Sequence, residues 1–230
     1  MPLTITLQNK IMFPSEVREL FRALHDTGFF EESMLIGSWV MPIYQDAFGM
    51  PYLLRTLDID FAVRLAASTS DRKVDLEAIF TGLGYVPVTM QSGIRKFTRQ
   101  NLAIEFVSHR KGGRNAEVEE IKKWNITAVP LPFVNILLDF AFIADFGEFR
   151  VRAPIPEAYF VQKLITAQRR PEESKKDKDL EQCAVIADRI DPGRLAMVVG
   201  SLRLSAKSRN TLRVSCEAIG FPPQKLGLRG

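Results

Sequence analysis

Two aspartates separated by a single residue, Asp58 and Asp60 in Leu54-Arg55-Thr56-Leu57-Asp58-Ile59-Asp60-Phe61, are the residues of this chain best suited to chemistry. The run reads as a strand over Leu57–Leu65, and a strand puts both carboxylates on one side of its sheet with Ile59 and Phe61 on the other. Neighbouring carboxylates repel, so the pair is costly unless a cation lies between them. A hard divalent ion is the natural candidate. Upstream, Met34-Leu35-Ile36-Gly37-Ser38-Trp39 reads as a short buried strand that breaks at Gly37 and Ser38 into a helix. Backbone N–H groups at such a bend, a glycine that permits close approach and a serine hydroxyl form an anion site, and a nucleoside triphosphate is an anion that carries its own Mg²⁺.

Gly37-Ser38 followed by Asp58-x-Asp60 resembles the signature of the polymerase-beta-like nucleotidyltransferase superfamily. The Gly-Ser-Trp bend and the Leu-Arg-Thr-x-Asp-Ile-Asp-Phe run resemble a bacterial branch of it whose substrate is largely unassigned. Ser38 and Asp58 are farther apart than in most of the superfamily, so a longer helix or added loop must lie between them. The resemblance implies an α/β fold: a nucleotidyltransferase-type mixed sheet with flanking helices, followed by a C-terminal helical bundle. It also implies Mg²⁺, with two ions during turnover, and a role for Arg55 beside the nucleotide.

A third acid is expected on a neighbouring strand. Ala103-Ile104-Glu105-Phe106-Val107 isolates one carboxylate among apolar residues, and by the resemblance Glu105 would bind metal or act as base for the incoming hydroxyl. Asp139, in Asn135-Ile136-Leu137-Leu138-Asp139-Phe140, has similar surroundings. Glu105 is preferred because it is nearer the acidic pair in the chain and belongs to a hairpin turning at Arg99-Gln100-Asn101. Either acid has a plainer reading as a solvated surface residue.

Beyond the strands, Pro156 opens a helix in which Phe160, Leu164 and Ala167 form a buried stripe with Lys163 on the same face. A lysine there must snorkel out or reach into a cleft. By the resemblance it contacts the triphosphate. Arg169-Arg170 and Lys175-Lys176-Asp177-Lys178-Asp179-Leu180 resemble a segment that closes over the nucleotide in many members, including, more distantly, the abortive-infection (type IV toxin–antitoxin) nucleotidyltransferases. Arg170 and Lys176, with Asp179, are the candidates there, and an antitoxin-like protein partner is a corollary. The competing reading is a solvated helix start in which Glu172, Glu173, Asp177 and Asp179 pair with their basic neighbours.

Composition narrows the alternatives. The 230 residues, 46% of them hydrophobic, with a mean hydropathy of −0.02, fit an ordinary chain with a sizeable core. The longest apolar run, near Leu131 to Ala144, is broken by Pro132, Asn135 and Asp139, and the N-terminus lacks the pattern of a secretory signal, so a cytoplasmic location is expected. Two cysteines, Cys183 and Cys216, are too few for a thiolate metal cluster and read as helix packing residues. Two histidines, His25 and His109, leave little material for triad or imidazole–metal chemistry, and His25 suits a helix C-terminus. A net charge of +4 is a weak pointer to an anionic partner.

Periodicity predicts helices over Pro14–Thr27, Trp39–Phe48, Val74–Leu83, Leu180–Ile190, Pro192–Leu202 and Ser205–Ile219, and strands over Tyr85–Met90, Ile94–Arg99 and Leu102–Ser108. A basic, glycine-bearing loop, Lys111-Gly112-Gly113-Arg114-Asn115, reads as a connector or a mobile cover. Gly220 to Gly230 reads as a loose tail. The predicted organisation is a nucleotidyltransferase-like α/β domain over 1–153 and a helical domain over 154–230. The expected function is Mg²⁺-dependent transfer of a nucleoside monophosphate from a nucleoside triphosphate to an acceptor hydroxyl on RNA, protein or a small molecule. A catalytically idle relative that binds nucleotide or a partner is the alternative, and a basic nucleic-acid-binding face at Lys207, Arg209 and Arg213 is a third reading.

Overall fold

The computed structural model describes residues 2–65, 73–110 and 117–228. The Lys111–Asn115 loop therefore lies outside the described residues. The expected α/β architecture is present, and among the described residues no helix is long and apolar enough to cross a membrane.

Helix α1 (Ser15–Asp26) buries Val17, Leu20, Phe21 and Leu24 at helical spacing and carries His25 in its last turn. A short helix α2 (Phe29–Glu32) leads into β2 (Met34–Ile36), after β1 (Leu3–Thr6). The chain then bends through a 3-10 turn (Gly37–Val40) into α3 (Met41–Phe48), with Pro42 tolerated in its first turn and Gly49 ending it in a left-handed conformation. Helix α3 and the segment after it occupy the long interval between Ser38 and the acidic pair on β3 (Asp58–Val63).

Next come α4 (Leu76–Gly82), β4 (Val86–Thr89), β5 (Arg95–Arg99), β6 (Leu102–His109), β7 (Glu119–Ile121), β8 (Ile126–Leu131), α5 (Val134–Asp139), β9 (Ala141–Asp145) and β10 (Arg150–Pro154). The larger described sheet runs β2-β3-β6-β5-β4, with β8 joined to the far half of β6 and β7 to β8. Strand β3 is antiparallel to β2 and parallel to β6, and β6 is antiparallel to β5. Its inward face is aromatic: Phe61, Phe97 and Phe106 are buried with Phe80 of α4, and Phe61 and Phe106 stack at 5.7 Å. A smaller sheet has the order β1-β9-β10. The sequence patterns do not predict β1, α2, β7, β8, α5, β9 or β10.

From Pro156 the chain is helical: α6 (Pro156–Ala167), α7 (Glu173–Ala187), α8 (Pro192–Gly200) and α9 (Ala206–Ala218). One continuous cluster of buried side chains joins these helices to the sheets, and the Tyr44 hydroxyl of α3 donates to the Pro154 carbonyl at 2.7 Å across the junction. Cys183 and Cys216 are buried packing residues, and burial pushes the Cys216 thiol up to about 12.

Two expectations need correction. Helix α7 begins at Glu173, about two turns before Leu180, because the charged residues there form a helical first turn with Lys175–Glu172 and Lys176–Glu173 ion pairs. The stretch after Gly220 is not a loose tail through its described part. Phe221, Leu226 and Leu228 are buried, and Phe221 packs edge-on against Phe160 at 5.0 Å.

Candidate active site

Strand register assembles the acidic residues. Asp60 on β3 lies directly opposite Glu105 on β6, and Asp58 lies opposite Ala103 two residues away on the same face. Alternation sends Ile59 and Ile104 into the core and leaves all three carboxylates on one exposed side of the sheet. On the next strand Lys96 ion-pairs with Glu105. Asp60 feels this crowding. Burial first, and then the neighbouring Glu105 charge, push its carboxyl up to about 7, with Lys163 and Arg170 acting the other way and Asp58 adding to the rise.

The glycine–serine bend lies against this row. Ile36 pairs with Asp60, so Gly37 follows immediately at the edge of the acidic cluster. Gly37 has φ +66°, and a Cβ placed there would collide with the Asp60 carboxylate. Both the backbone conformation and the carboxylate's closeness therefore demand glycine. The Tyr159 hydroxyl lies 3.1 Å from the Gly37 carbonyl, and Ser38 Oγ accepts from Gln182 Nε2 at 2.8 Å.

Facing the acids is a basic wall carried by α6 and α7. Lys163 is buried and ion-pairs with Asp179, whose other oxygen receives Arg170 Nε at 2.8 Å. Asp179 is itself buried, so both cations are held by a carboxylate that has little else to do. Lys175 and Lys178 complete the wall. Burial, followed by the Lys163 charge, lowers the Lys178 ammonium from its ordinary value. Together Gly37, Ser38, Thr56, Asp58, Asp60, Lys96, Glu105, Lys163, Arg170, Lys175, Lys178 and Asp179 line a cleft of about 360 Å³.

A cleft with three carboxylates on one side and four cations on the other has the charge pattern to take a polyphosphate. A family model described as nucleotidyltransferase matches residues 15–198. The chain belongs to that nucleotidyltransferase family. Among solved structures, an antigenic nucleotidyltransferase-like protein from Paracoccidioides brasiliensis superposes with a TM-score of 0.56 at 12% identity, covering 100% of this chain and 96% of that one, which shows a shared fold. The solution structure of the antibiotic-resistance factor ANT(2'')-Ia superposes more loosely, with a TM-score of 0.37 at 13% identity over 93% of this chain and 86% of that one. No curated protein sequence matches significantly.

Within this nucleotidyltransferase, the structure brings together Asp58, Asp60, Glu105, Gly37, Ser38, Lys163, Arg170 and Asp179. It places Asp139 elsewhere: that carboxylate binds Arg64 at 2.9 Å, beyond the opposite end of β3 from Asp58. Two expected nucleotide contacts do not line the cleft. Arg55 is exposed and lies 3.5 Å from Glu181, and Lys176 ion-pairs with Glu173 at 2.7 Å. The cleft takes Lys175 and Lys178 instead, together with Lys96 and Thr56. A helix start at Glu173 would have revealed them, because Lys175, Lys178, Asp179 and Gln182 recur at i, i+3, i+4 and i+7 on one face.

Proposed function

We propose that the enzyme transfers a nucleoside monophosphate from a nucleoside triphosphate to an acceptor hydroxyl and releases pyrophosphate, in a reaction that depends on Mg²⁺. One observation carries the proposal: Asp60 is paired in register with Glu105, shares its sheet face with Asp58, and lies against the Gly37 backbone opposite a wall of cations.

The donor set fits a hard divalent ion. Asp58 and Asp60 would hold it, with Glu105 completing the set, and a shared cation would offset both the burial that raises the Asp60 carboxyl and the Glu105 charge that adds to the rise. Among the described residues no three such side chains already converge as a complete metal shell, and the Glu105 carboxylate is engaged by Lys96. Bound there, Mg²⁺ would supply Lewis-acid neutralisation of charge at the transferring phosphoryl group, with two ions expected in turnover.

The chain's own groups would do the rest. The Gly37 and Ser38 bend would cradle the β- and γ-phosphates, and Lys163, Arg170, Lys175 and Lys178 would offset their charge. The acceptor oxygen attacks the α-phosphorus, the bond from that phosphorus to the pyrophosphate oxygen breaks, and the acceptor's proton passes to the Glu105 carboxylate. Pyrophosphate carries away the leaving electron pair against the basic wall. Catalysis is then mainly positioning and electrostatics.

Transfer of label from an α-labelled nucleotide in the presence of Mg²⁺ tests this. Asp58→Asn and Asp60→Asn should each reduce transfer on the order of 10³-fold, the scale of several kcal/mol of lost charge stabilisation. Activity in both variants equal to that of the parent would remove the acidic pair from the mechanism.

A further inference from the structure

Gln182 is fully buried on α7, and its side-chain amide joins four parts of the molecule. Its Oε1 accepts from the Tyr159 hydroxyl of α6 at 2.7 Å. Its two Nε2 hydrogens go to Ser38 Oγ at 2.8 Å and to the Tyr52 hydroxyl at 3.1 Å. An amide has two donors, and here both are spent inside the protein. A helix packing position is filled as well by leucine or methionine at no desolvation cost, so an amide at this depth is a costly choice unless its direction matters.

The direction matters most at Ser38. A serine hydroxyl has one hydrogen and two lone pairs. Because Gln182 donates to Ser38 Oγ, the serine cannot direct its own hydrogen back along that bond. The hydrogen is left for the cleft that Ser38 lines, where a phosphate oxygen would accept it. Tyr159 has one hydroxyl hydrogen, and at 2.7 Å it goes to Gln182 Oε1 rather than to the Gly37 carbonyl 3.1 Å away, which holds the amide with its two donors toward Ser38 and Tyr52.

We propose that Gln182 is a positioning residue for the nucleotide: it sets the Ser38 hydroxyl as a donor toward the phosphates. This role rests on the nucleotide reading of the cleft. It makes affinity for the phosphates depend on a residue that touches no ligand, and it joins the helical part to the glycine–serine bend.

The test uses the full chain and two probes: a non-hydrolysable ATP analogue with Mg²⁺, and inorganic tripolyphosphate with Mg²⁺, which offers the phosphates without a base. Gln182→Glu keeps an acceptor for Tyr159 but has no hydrogen to give, so Ser38 turns to donate to it. Binding of both probes should weaken about tenfold, the scale of one hydrogen bond to a charged group, as it should in Ser38→Ala. The double variant should bind no worse than Ser38→Ala alone, and in turnover the loss should appear in KM with kcat little changed. If Gln182→Glu fails to fold, Gln182→Met, of similar length and without a buried charge, takes its place in the same comparison. A folded variant that binds within twofold of the parent, or a double variant that loses the product of the two single effects, overturns the role while leaving the nucleotide reading intact. A parent protein that melts cooperatively yet binds neither probe sinks the nucleotide reading and this role with it.

Discussion

The two walls of the cleft are built by different means. The acidic wall is set by backbone: the register of β2, β3 and β6 places Gly37, Asp60 and Glu105 side by side, and no side chain has to be steered into position. The basic wall is set by side chains, with Lys163 and Arg170 held by the single buried carboxylate of Asp179. A strand pair can lose a side chain and keep its spacing. A hub of ion pairs loses its geometry with its central group, so the two walls should fail differently.

The largest difference is expected at Asp179. Asp179→Ala would strand the buried Lys163 without a counter-charge, at a cost of about 3 kcal/mol, less than a fully buried pair because Arg170 is partly exposed. Thermal denaturation should show a fall of about 10 °C in Tm along with loss of transfer. An unchanged melt would mean that the basic wall does not depend on its hub.

At the acidic wall, the sharpest probe is Gly37→Ala. The added methyl meets Asp60 Oδ2, and the left-handed backbone adds about 1–2 kcal/mol of strain. Transfer should drop at least about tenfold, with a Tm loss of only about 3–6 °C. Full activity would show that the Asp60 carboxylate has room that its position denies.

Asp60 should also leave a mark on the pH dependence of stability. Its carboxyl ordinarily titrates at 3.8 and is raised to about 7 in the folded chain. Between those values the folded state keeps a proton that the unfolded chain has released, so this group's contribution to stability falls as pH rises through the window and stays low above it. In metal-free solution at pH 8, Asp60→Asn should therefore melt about 3 °C higher than the parent, the shift for about 1 kcal/mol after allowing for partial exposure. At pH 4 the two should coincide, and added Mg²⁺ should raise the parent's Tm and not the variant's. A gap of the same size at both pH values would dissociate it from this proton.

The smallest contrast separates neighbours on α7. Lys178→Ala should weaken nucleotide binding several-fold, whereas Lys176→Ala should leave both binding and the melt unchanged, because its ion pair with Glu173 is a solvated one. Equal effects of the two on nucleotide affinity, measured by calorimetry, would put the α7 face in the wrong orientation.

The same contrast governs what the sequence reveals. Asp58, Asp60 and Glu105 are legible because two-residue alternation is a local property of each strand. Gly37 is legible because a glycine at a strand–helix bend is a local signal. The basic wall is only half legible. Lys163 stands out as a lysine within an apolar stripe, but choosing Lys178 over Lys176 requires the start of α7, which dense mixed charge conceals. Gln182 has no local mark at all. Its partners Ser38, Tyr52 and Tyr159 are distant in the chain, and so is the β9 partner of β1, where Leu3 pairs with Phe142. Pairings across such intervals leave no periodicity to read. The burial of Phe221, Leu226 and Leu228 is hidden for the same reason, since the surface that receives them is assembled from other helices.

One helix carries Lys175, Lys178, Asp179 and Gln182 on a single face. Such a face moves as a unit. A change at Cys183 or Ile186, which lie in the core one or two turns along, would swing all four side chains at once by altering how α7 rests on α6. The enzyme's grip on its substrate is accordingly open to adjustment from within the interior, by substitutions remote from the reacting atoms, and variation among related chains at those two positions would act as a common tuning point for the basic wall and the Ser38 hydroxyl.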